Sequence, residues 1–385
     1  METKFQLPAI TTQYPVCPIP YRIDTYWGCK ANCVYCFSQD FIRRNRRYRP
    51  EEQQSQSYLI ANDPDKFAQW CKATTEADYN YKRGQEVAFK ERVPMKIGGV
   101  SDPFPPIESK KRVTYKMLQT LDEYDYPCAL QTKFPNVLAK YHQDFNNPNW
   151  IIDVTLISLD ENFVKIVEPG APSPKLRLKA IERLAAAGKK VLCRIQPVIY
   201  PKIMKDMDKL VKAFKDHGAW AFNTESLKMR VLMTEEEKVK FRKLEPWLEA
   251  DIESFRAKEN ITGSDYEVYP EKTLEYSRLA HEFSYKHNIK YFRADNRFTN
   301  TSRFGDGCEC CGTEVLRDYK IWGMNKRTHM WGHVKHESKH MEDVVINTFS
   351  YSTDKKRYKT LGEVMKKVLY PKQTSLLRQR KGQII

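Results

Sequence analysis

The chain has 385 residues, 41% of them apolar, enough to bury one large core or two domains of a globular protein. No stretch approaches 18 uncharged apolar residues and the first fourteen lack the apolar centre of a signal peptide, which argues against a membrane span and for a cytoplasmic location. Ten cysteines in such a chain favour metal or redox use over a disulfide framework, and a net charge of +16 points to a polyanionic partner, above all nucleic acid, with general solubility as the plain alternative.

Residues 1–20 are Pro-rich and weakly patterned, an extended arm in which Cys17 reads as a small hydrophobe. A first strand is expected over 21–27, running through Gly28 into a loop with Cys29, Cys33 and Cys36 at spacings of four and three. Three thiols so close on one loop can converge on a soft metal centre: zinc, copper(I) or an iron–sulfur cluster. A closed zinc site takes four ligands, so zinc would need a distant fourth; on a four-iron cluster three cysteines leave one iron open for chemistry.

Beyond the loop, 38–48 is helix-compatible and is limited by Pro50; it carries Arg43, Arg44, Arg46 and Arg47, with Arg49 just beyond. Residues 51–92 read as an insertion with a helix over 63–71. From Val93 short apolar runs alternate with longer amphipathic ones, the pattern of βα units on a parallel sheet. Strands are expected over 95–99, 128–132, 151–159, 190–197 and 219–224, with helices over 108–124, 134–144, 173–187 and 204–217. With 21–27 that makes six strands, placing a partial barrel in 21–225 whose ligand-bearing loops follow the strand C-termini.

Residues 226–305 are expected to complete the barrel with helices over 235–253 and 271–286 and a strand over 289–293. The extension 306–385 is Cys/His-rich and basic. Cys308, Cys310 and Cys311 form a second thiol group, which suits an auxiliary iron–sulfur cluster or zinc, or else a Cys-rich turn or redox pair. His329, His333, His336 and His340 would share one face if their stretch were helical, as metal or phosphate ligands or as a solvated face. From 354 to 381 ten basic residues stand against two acidic ones, and Tyr351, Tyr358 and Tyr370 lie in or beside this run, as base stacking next to phosphate contacts would use them.

The C-x-x-x-C-x-x-C spacing with Tyr35 before the last cysteine resembles the signature of the radical S-adenosylmethionine (SAM) enzymes. Gly98-Gly99-Val100-Ser101-Asp102-Pro103-Phe104, Gln131-Thr132-Lys133, Ser158-Leu159-Asp160, Glu168-Pro169-Gly170 with Arg177, and Arg194-Ile195-Gln196-Pro197 follow in order and resemble the spore photoproduct lyase-like branch. The resemblance implies an α/β fold, a partial (β/α)6 TIM-type barrel. It also implies a 4Fe-4S cluster on Cys29, Cys33 and Cys36 with S-adenosyl-L-methionine on the open iron, and a 5′-deoxyadenosyl radical that takes hydrogen from the substrate.

By position it places Tyr35 near the adenine, Gly98, Gly99, Ser101 and Asp102 at the SAM amino group, Lys133 at the carboxylate, Ser158 at the amino acid or ribose, and Arg177 in the same cofactor-binding set. It further implies a reducing partner such as flavodoxin or ferredoxin. In the lyase proper a hydrogen-returning cysteine precedes the Ser-Asp of the second strand end, where this chain has Gly99 and Val100. That departs from thymine-dimer repair; Cys128 and Cys193, on expected strands, would serve as donors if they faced the barrel interior, but buried inert thiols are the favoured reading for both. The reading is a radical enzyme acting on a nucleic-acid base; the alternatives are a peptide or small-metabolite substrate, or a non-catalytic zinc protein that binds nucleic acid.

Overall fold

The computed structural model describes residues 2–10, 19, 21–38, 59–76, 84–90, 92–230, 233–257, 261–262, 265–267, 272–294, 311–316, 322–324 and 331–333. Its centre is a sheet whose spatial order is the chain order: β1 (Ala9–Ile10), β2 (Tyr21–Ile23), β3 (Met95–Ile97), β4 (Cys128–Thr132), β5 (Trp150–Thr155), β6 (Lys190–Val198), β7 (Ala221–Ser226) and β8 (Lys290–Arg293). β1 pairs antiparallel with β2, and every later pairing is parallel. Parallel neighbours need a crossover between them, and the apolar runs Cys-Ala-Leu-Gln-Thr and Trp-Ile-Ile-Asp-Val-Thr are buried along their whole length, as strands covered on both faces must be.

The six expected strands are all present, and the stretch near 289–293 joins them as a seventh parallel strand, paired to β7 from Lys290 to Arg293. Tyr21–Ile23 does not run on to residue 27. The chain turns at Asp24, and Tyr26–Trp27 pairs antiparallel with Ile60–Ala61 from the segment read as an insertion. Among the described residues of 226–305, helices at Glu235–Arg242, Ile252–Ala257 and Thr273–His287 are accompanied by an unexpected three-stranded sheet of Lys228–Arg230, Ile261–Thr262 and Asp265–Glu267.

The crossover helices follow local rules. α1 (Pro64–Glu76), α2 (Val113–Glu123), α3 (Glu161–Val167), α4 (Pro174–Ala186), α5 (Lys202–Asp216), α6 (Glu235–Arg242) and α7 (Thr273–His287) each turn an apolar side inward. Asp160 caps α3 through the Phe163 N–H, Ser173 caps α4 ahead of Pro174, and Thr234 with Glu237 forms a capping box on α6. Three expected helices are shorter than their pattern. The 108–124 stretch breaks at Arg112, which sits at φ 52°. The 134–144 stretch is reduced to single turns at Pro135–Leu138 and His142–Asp144. The 235–253 stretch stops at Arg242, ahead of Pro246.

The larger core lies between the sheet and its helices. A smaller one lies inside the barrel, where Ala129, Ile151, Leu192, Ala221 and Phe292 meet Ile19, Cys311 and Leu316. The 311–316 segment thus seals the barrel at the N-terminal end of its strands, with Gly312 at φ 68° against Trp220 and Ile151.

α5 shows the apolar stripe most clearly, with Ile203, Met207, Leu210, Val211 and Phe214 all fully buried. Leu210→Ala is expected to cost about 2–5 kcal/mol in urea unfolding, while Lys209→Ala, on the exposed face, stays within about 0.5 kcal/mol of the parent.

Candidate functional site

The cysteine loop leaves the C-terminal end of β2. Gly28 at φ 100° and Asn32 at φ 48° give it two left-handed turns, conformations that glycine and asparagine adopt at least cost. Its path is then fixed from two sides. On one side the Gly28 N–H donates to Ser101 Oγ at 3.0 Å. On the other, the Val34 N–H donates to the Val167 carbonyl at 2.9 Å and the Gly170 N–H to the Ala31 carbonyl at 3.0 Å. A Cβ at Gly170 would lie 1.8 Å from the Lys30 carbonyl oxygen, so only glycine allows the α3–α4 connection to pass this close.

Beneath the loop lies a buried carboxylate, Glu168. Its Oε2 is 2.6 Å from Arg177 Nη1, its Oε1 is 3.4 Å from Lys133 Nζ, and the Tyr35 hydroxyl donates to it. Burial alone would raise the Glu168 carboxyl; Arg177 above all, then Lys133 and the Tyr35 hydroxyl, hold it below its ordinary 4.5. Arg177, also fully buried, donates to the Pro172 carbonyl at 2.8 Å and the Thr155 carbonyl at 3.0 Å. It therefore acts on the loop through Glu168, while Lys133 lies 5.5 Å from the Tyr35 ring centre and remains partly exposed.

The strand ends around the loop are organised by two more buried carboxylates. Asp24 Oδ1 accepts the Val100 and Ser101 N–H groups at 2.8 and 3.0 Å. Asp102 accepts from Phe104 N–H and Thr132 Oγ1 through one oxygen and from Lys133 N–H at 2.6 Å through the other. Ser101 and Asp102 thus shape the β3 and β4 ends and set where Lys133 starts. Gly98, at φ 88°, packs so closely that a Cβ would meet Pro103 Cδ at 2.5 Å and the Gln131 carbonyl at 2.8 Å. A Cβ at Gly99 would meet Arg22 Cδ at 2.7 Å, so the space a cysteine there would take is filled by the Arg22 side chain. Ser158 is buried and accepts the Asp160 N–H at 3.1 Å, forming the turn after β5.

Burial pushes the Cys29 thiol up to about 12, with the charges of Asp102 and Cys36 adding to it, and burial likewise pushes Cys33 far up. The charge of Cys36 acts on Cys29, and those of Cys29 and Cys36 act on Cys33. Buried thiols of this kind give up their protons to a bound cation, which makes the loop fit for a soft metal centre. Among the described residues no three His, Cys, Asp or Glu side chains converge tightly enough for a single metal ion. Three thiolates are one ligand short of a closed zinc site, whereas on a four-iron cluster they leave one iron open, so the donor chemistry fits such a cluster. A crevice beside Cys36 is walled by Tyr35, Lys228, Arg230 and Phe241.

Several expected residues lie elsewhere. Cys128 and Cys193 face the outer helix layer, not the barrel interior, because the strand alternation that turns Ala129 and Leu192 inward turns them out. Cys311 is the thiol that does reach the inside, accepting from Gln131 Nε2 at 3.7 Å; Cys308 and Cys310 lie outside the described residues. His333 is in a strand, Trp331–His333, paired with Trp322–Met324, so it does not sit on a helix face. The other three histidines, the arginine run after the loop and the basic tail lie outside the described residues.

Asp24 and Gly170 went unassigned in the sequence, although each stands in or beside a quoted motif. That Gln131, Asp153, Arg194, Gln196 and Asn223 all face inward requires the strand register, although Gln131, Arg194 and Gln196 stand in quoted motifs. Burial pushes Asp153 up to about 8, with the Cys311 sulfur behind it.

No profile of a known protein family matches the chain. An uncharacterized protein of Methanocaldococcus jannaschii is 24% identical over 216 residues, 52% of this chain and 70% of that one. An uncharacterized protein of Acidianus two-tailed virus is 30% identical over 95 residues, 23% of this chain and 30% of that one. Among solved structures, a spore photoproduct lyase variant with bound AdoMet and dinucleoside spore photoproduct superposes with a TM-score of 0.51 at 18% identity, over 74% of this chain and 78% of its own. A second variant of that lyase, with Tyr replaced by Phe, gives 0.50 at 18% identity over 76% and 80%. The arrangement of strands and helices is the same in kind. Among the described residues no helix is long and apolar enough to cross a membrane.

Glu168→Gln leaves the Arg177 guanidinium buried without its counter-charge and is expected to cost about 3–5 kcal/mol, whereas Glu168→Leu with Arg177→Met recovers most of the loss. Because the native carboxyl is held below 4.5, its contribution is complete above that pH and disappears as the pH falls through the lowered value. Urea unfolding of parent and Glu168→Gln should therefore differ by a constant amount from pH 7 to 5 and converge below about 4.5.

Proposed function

We propose that this chain, which has the partial-barrel fold of the radical SAM enzymes in its spore photoproduct lyase form, reductively cleaves S-adenosylmethionine at a 4Fe-4S cluster and uses the 5′-deoxyadenosyl radical to modify or rearrange a nucleic-acid base. The observation that carries this reading is the cysteine loop: Cys29, Cys33 and Cys36 at the C-terminal end of the first parallel strand, hydrogen-bonded to the end of the next and clamped from below by Glu168. Cys29, Cys33 and Cys36 would hold the cluster, which when bound supplies one electron at an iron with no protein ligand.

The rest falls to the chain's own side chains. Tyr35 is held over Lys133 by its bond to Glu168 and presents a flat face for the adenine. Lys133 has a mobile ammonium that can leave Glu168 for the carboxylate of SAM, a point charge on a charged acceptor. Gly98 and Gly99 are assigned to the amino end of the cofactor through their backbone groups, since the side each glycine would fill with a Cβ is taken up by Pro103 and Arg22. Ser158 is assigned to the amino acid or ribose part, and Asp102 and Ser101 keep the surrounding backbone in place.

The nucleic-acid substrate is supported by the net charge of +16 and by the basic run from 354 to 381. With Gly99 backed by Arg22 where the lyase resemblance expects a thiol, the chain departs from dimer repair. A one-electron donor such as flavodoxin or ferredoxin would complete the system.

Anaerobic reconstitution with iron and sulfide, followed by incubation with SAM, dithionite and single- or double-stranded DNA or RNA, is expected to release 5′-deoxyadenosine at a rate raised by one of the nucleic acids and to shift the mass or retention of one of its nucleosides. Cys33→Ala and Cys36→Ala should abolish both. Release that no nucleic acid influences would overturn the substrate assignment.

A further inference from the structure

Side chains alternate along each strand, so the barrel interior can be followed layer by layer. At the N-terminal ends it is mostly apolar, with Ala129, Ile151, Leu192, Ala221 and Phe292 over the plug of Cys311 and Leu316, and with the buried Lys96 of β3 beside Ala129. One step further along the strands its character changes to Gln131 on β4, Asp153 on β5, Arg194 and Gln196 on β6, and Asn223 on β7. A barrel closed for stability alone fills such a layer with branched apolar residues. Buried amides and charges cost free energy unless each finds a partner.

Part of the layer satisfies itself. Gln131 Nε2 donates to Asp153 Oδ2 at 3.1 Å, Gln196 Nε2 to Asn223 Oδ1 at 3.0 Å, and the Arg194 guanidinium to Gln196 Oε1. Two buried atoms are left over: Asp153 Oδ1, on a fully buried residue, and Arg194 Nε. They sit on neighbouring strands, where Arg194 pairs in register with Thr155, and Arg194 is near enough to act electrostatically on Asp153. Arg194 and Gln196 point inward and yet are only half-buried, so open space reaches them.

We propose that this layer, Gln131, Asp153, Arg194, Gln196 and Asn223, reads the hydrogen-bonding edge of a single nucleobase turned into the barrel. The inference deepens the nucleic-acid reading above and rests on it.

The chemistry of the layer selects the ligand class. Three of its five groups are neutral amides, which donate and accept on one plane as a heterocycle edge does. The charged groups here are Asp153 and, acting on it, Arg194 and the buried Lys96 of β3, so acetate and phosphate as competitors separate recognition by the amides from simple anion binding. Asp153 Oδ1 and Arg194 Nε–H together suit a ligand whose donor and acceptor lie side by side on the same edge. Base edges have that arrangement. A trans peptide bond does not, because its N–H and C=O point in opposite directions.

The layer also explains its own cost. Polar groups left half-satisfied in a core are what a fold keeps for a ligand, and replacing them with apolar groups of similar size should not harm folding.

The test is equilibrium binding to the full chain carrying its cluster and SAM, without reductant. Thymidine and N3-methylthymidine are one pair of probes, deoxyguanosine and N1-methyldeoxyguanosine another, with acetate and inorganic phosphate as competitors. The parent is expected to prefer the unmethylated member of one pair by at least tenfold and to be indifferent to the anions. Asp153→Leu and Arg194→Met should each reduce that preference to within twofold while leaving the thermal midpoint equal to or above the parent's.

The ratio of affinities within a pair does not depend on general loosening of the fold, so it stays decisive even for a destabilised variant. A preference unchanged in both variants, no preference in the parent, or displacement of the nucleoside by phosphate would each overturn the proposal. If nucleic acid still stimulates 5′-deoxyadenosine release when the layer fails this test, the layer assignment falls alone. If that stimulation is absent too, the nucleic-acid reading falls with it.

Discussion

Everything near the cysteine loop depends on one buried charge. Glu168 sits at the end of α3 with no solvent exposure and is stable there because Arg177 meets it at 2.6 Å and Lys133 and Tyr35 complete its surroundings. An isolated carboxylate in that position would cost several kcal/mol, so the residues that neutralise it are fixed in place by the same free energy. Two of them belong to functional segments: Tyr35 to the cysteine loop and Lys133 to the end of β4. The third, Arg177, anchors the β5 and α4 backbones through the Thr155 and Pro172 carbonyls. This buried carboxylate thereby couples the loop, Lys133 at the β4 end and the scaffold.

The parallel barrel adds the second constraint. Because neighbouring strands run the same way, their C-terminal ends lie together at one rim, and the loops that leave β2, β3, β4 and β5 meet there without any long-range bias in the sequence. Asp24 and Asp102 convert that proximity into fixed geometry by accepting backbone N–H groups across strand boundaries. The interior of the same barrel is divided into an apolar floor and a polar layer above it. The floor is completed by Cys311 and Leu316 from far along the chain, which places a thiol under Gln131 and Asp153.

Much of this was legible in the sequence, for identifiable reasons. Cys29, Cys33 and Cys36 declare themselves because three thiols at short spacing have few structural uses, and the βα rhythm from Val93 onward is strong because each parallel strand is a continuous apolar run. The motif residues Lys133, Glu168 and Arg177 could be marked, but their mutual contacts could not, since they lie on different segments. Helix lengths failed where local backbone overrode the pattern, at Arg112 and around Pro246. Cys128 and Cys193 are the buried, inert thiols their apolar strands favour, although on a strand buried on both faces hydrophobicity alone does not say which side faces the barrel. Gly170 stands in a quoted motif, and only the 1.8 Å approach to Lys30 reveals why it is glycine.

The account's central claim is that Cys29, Cys33 and Cys36 together hold a cluster that meets SAM directly. Electron paramagnetic resonance of the reconstituted, dithionite-reduced chain, recorded with and without SAM, tests it most closely. The account predicts a reduced-cluster signal that shifts when SAM is added and that is missing from the Cys29→Ala, Cys33→Ala, Cys36→Ala triple variant. A signal indifferent to SAM, or one that survives in the triple variant with its SAM response intact, would contradict it.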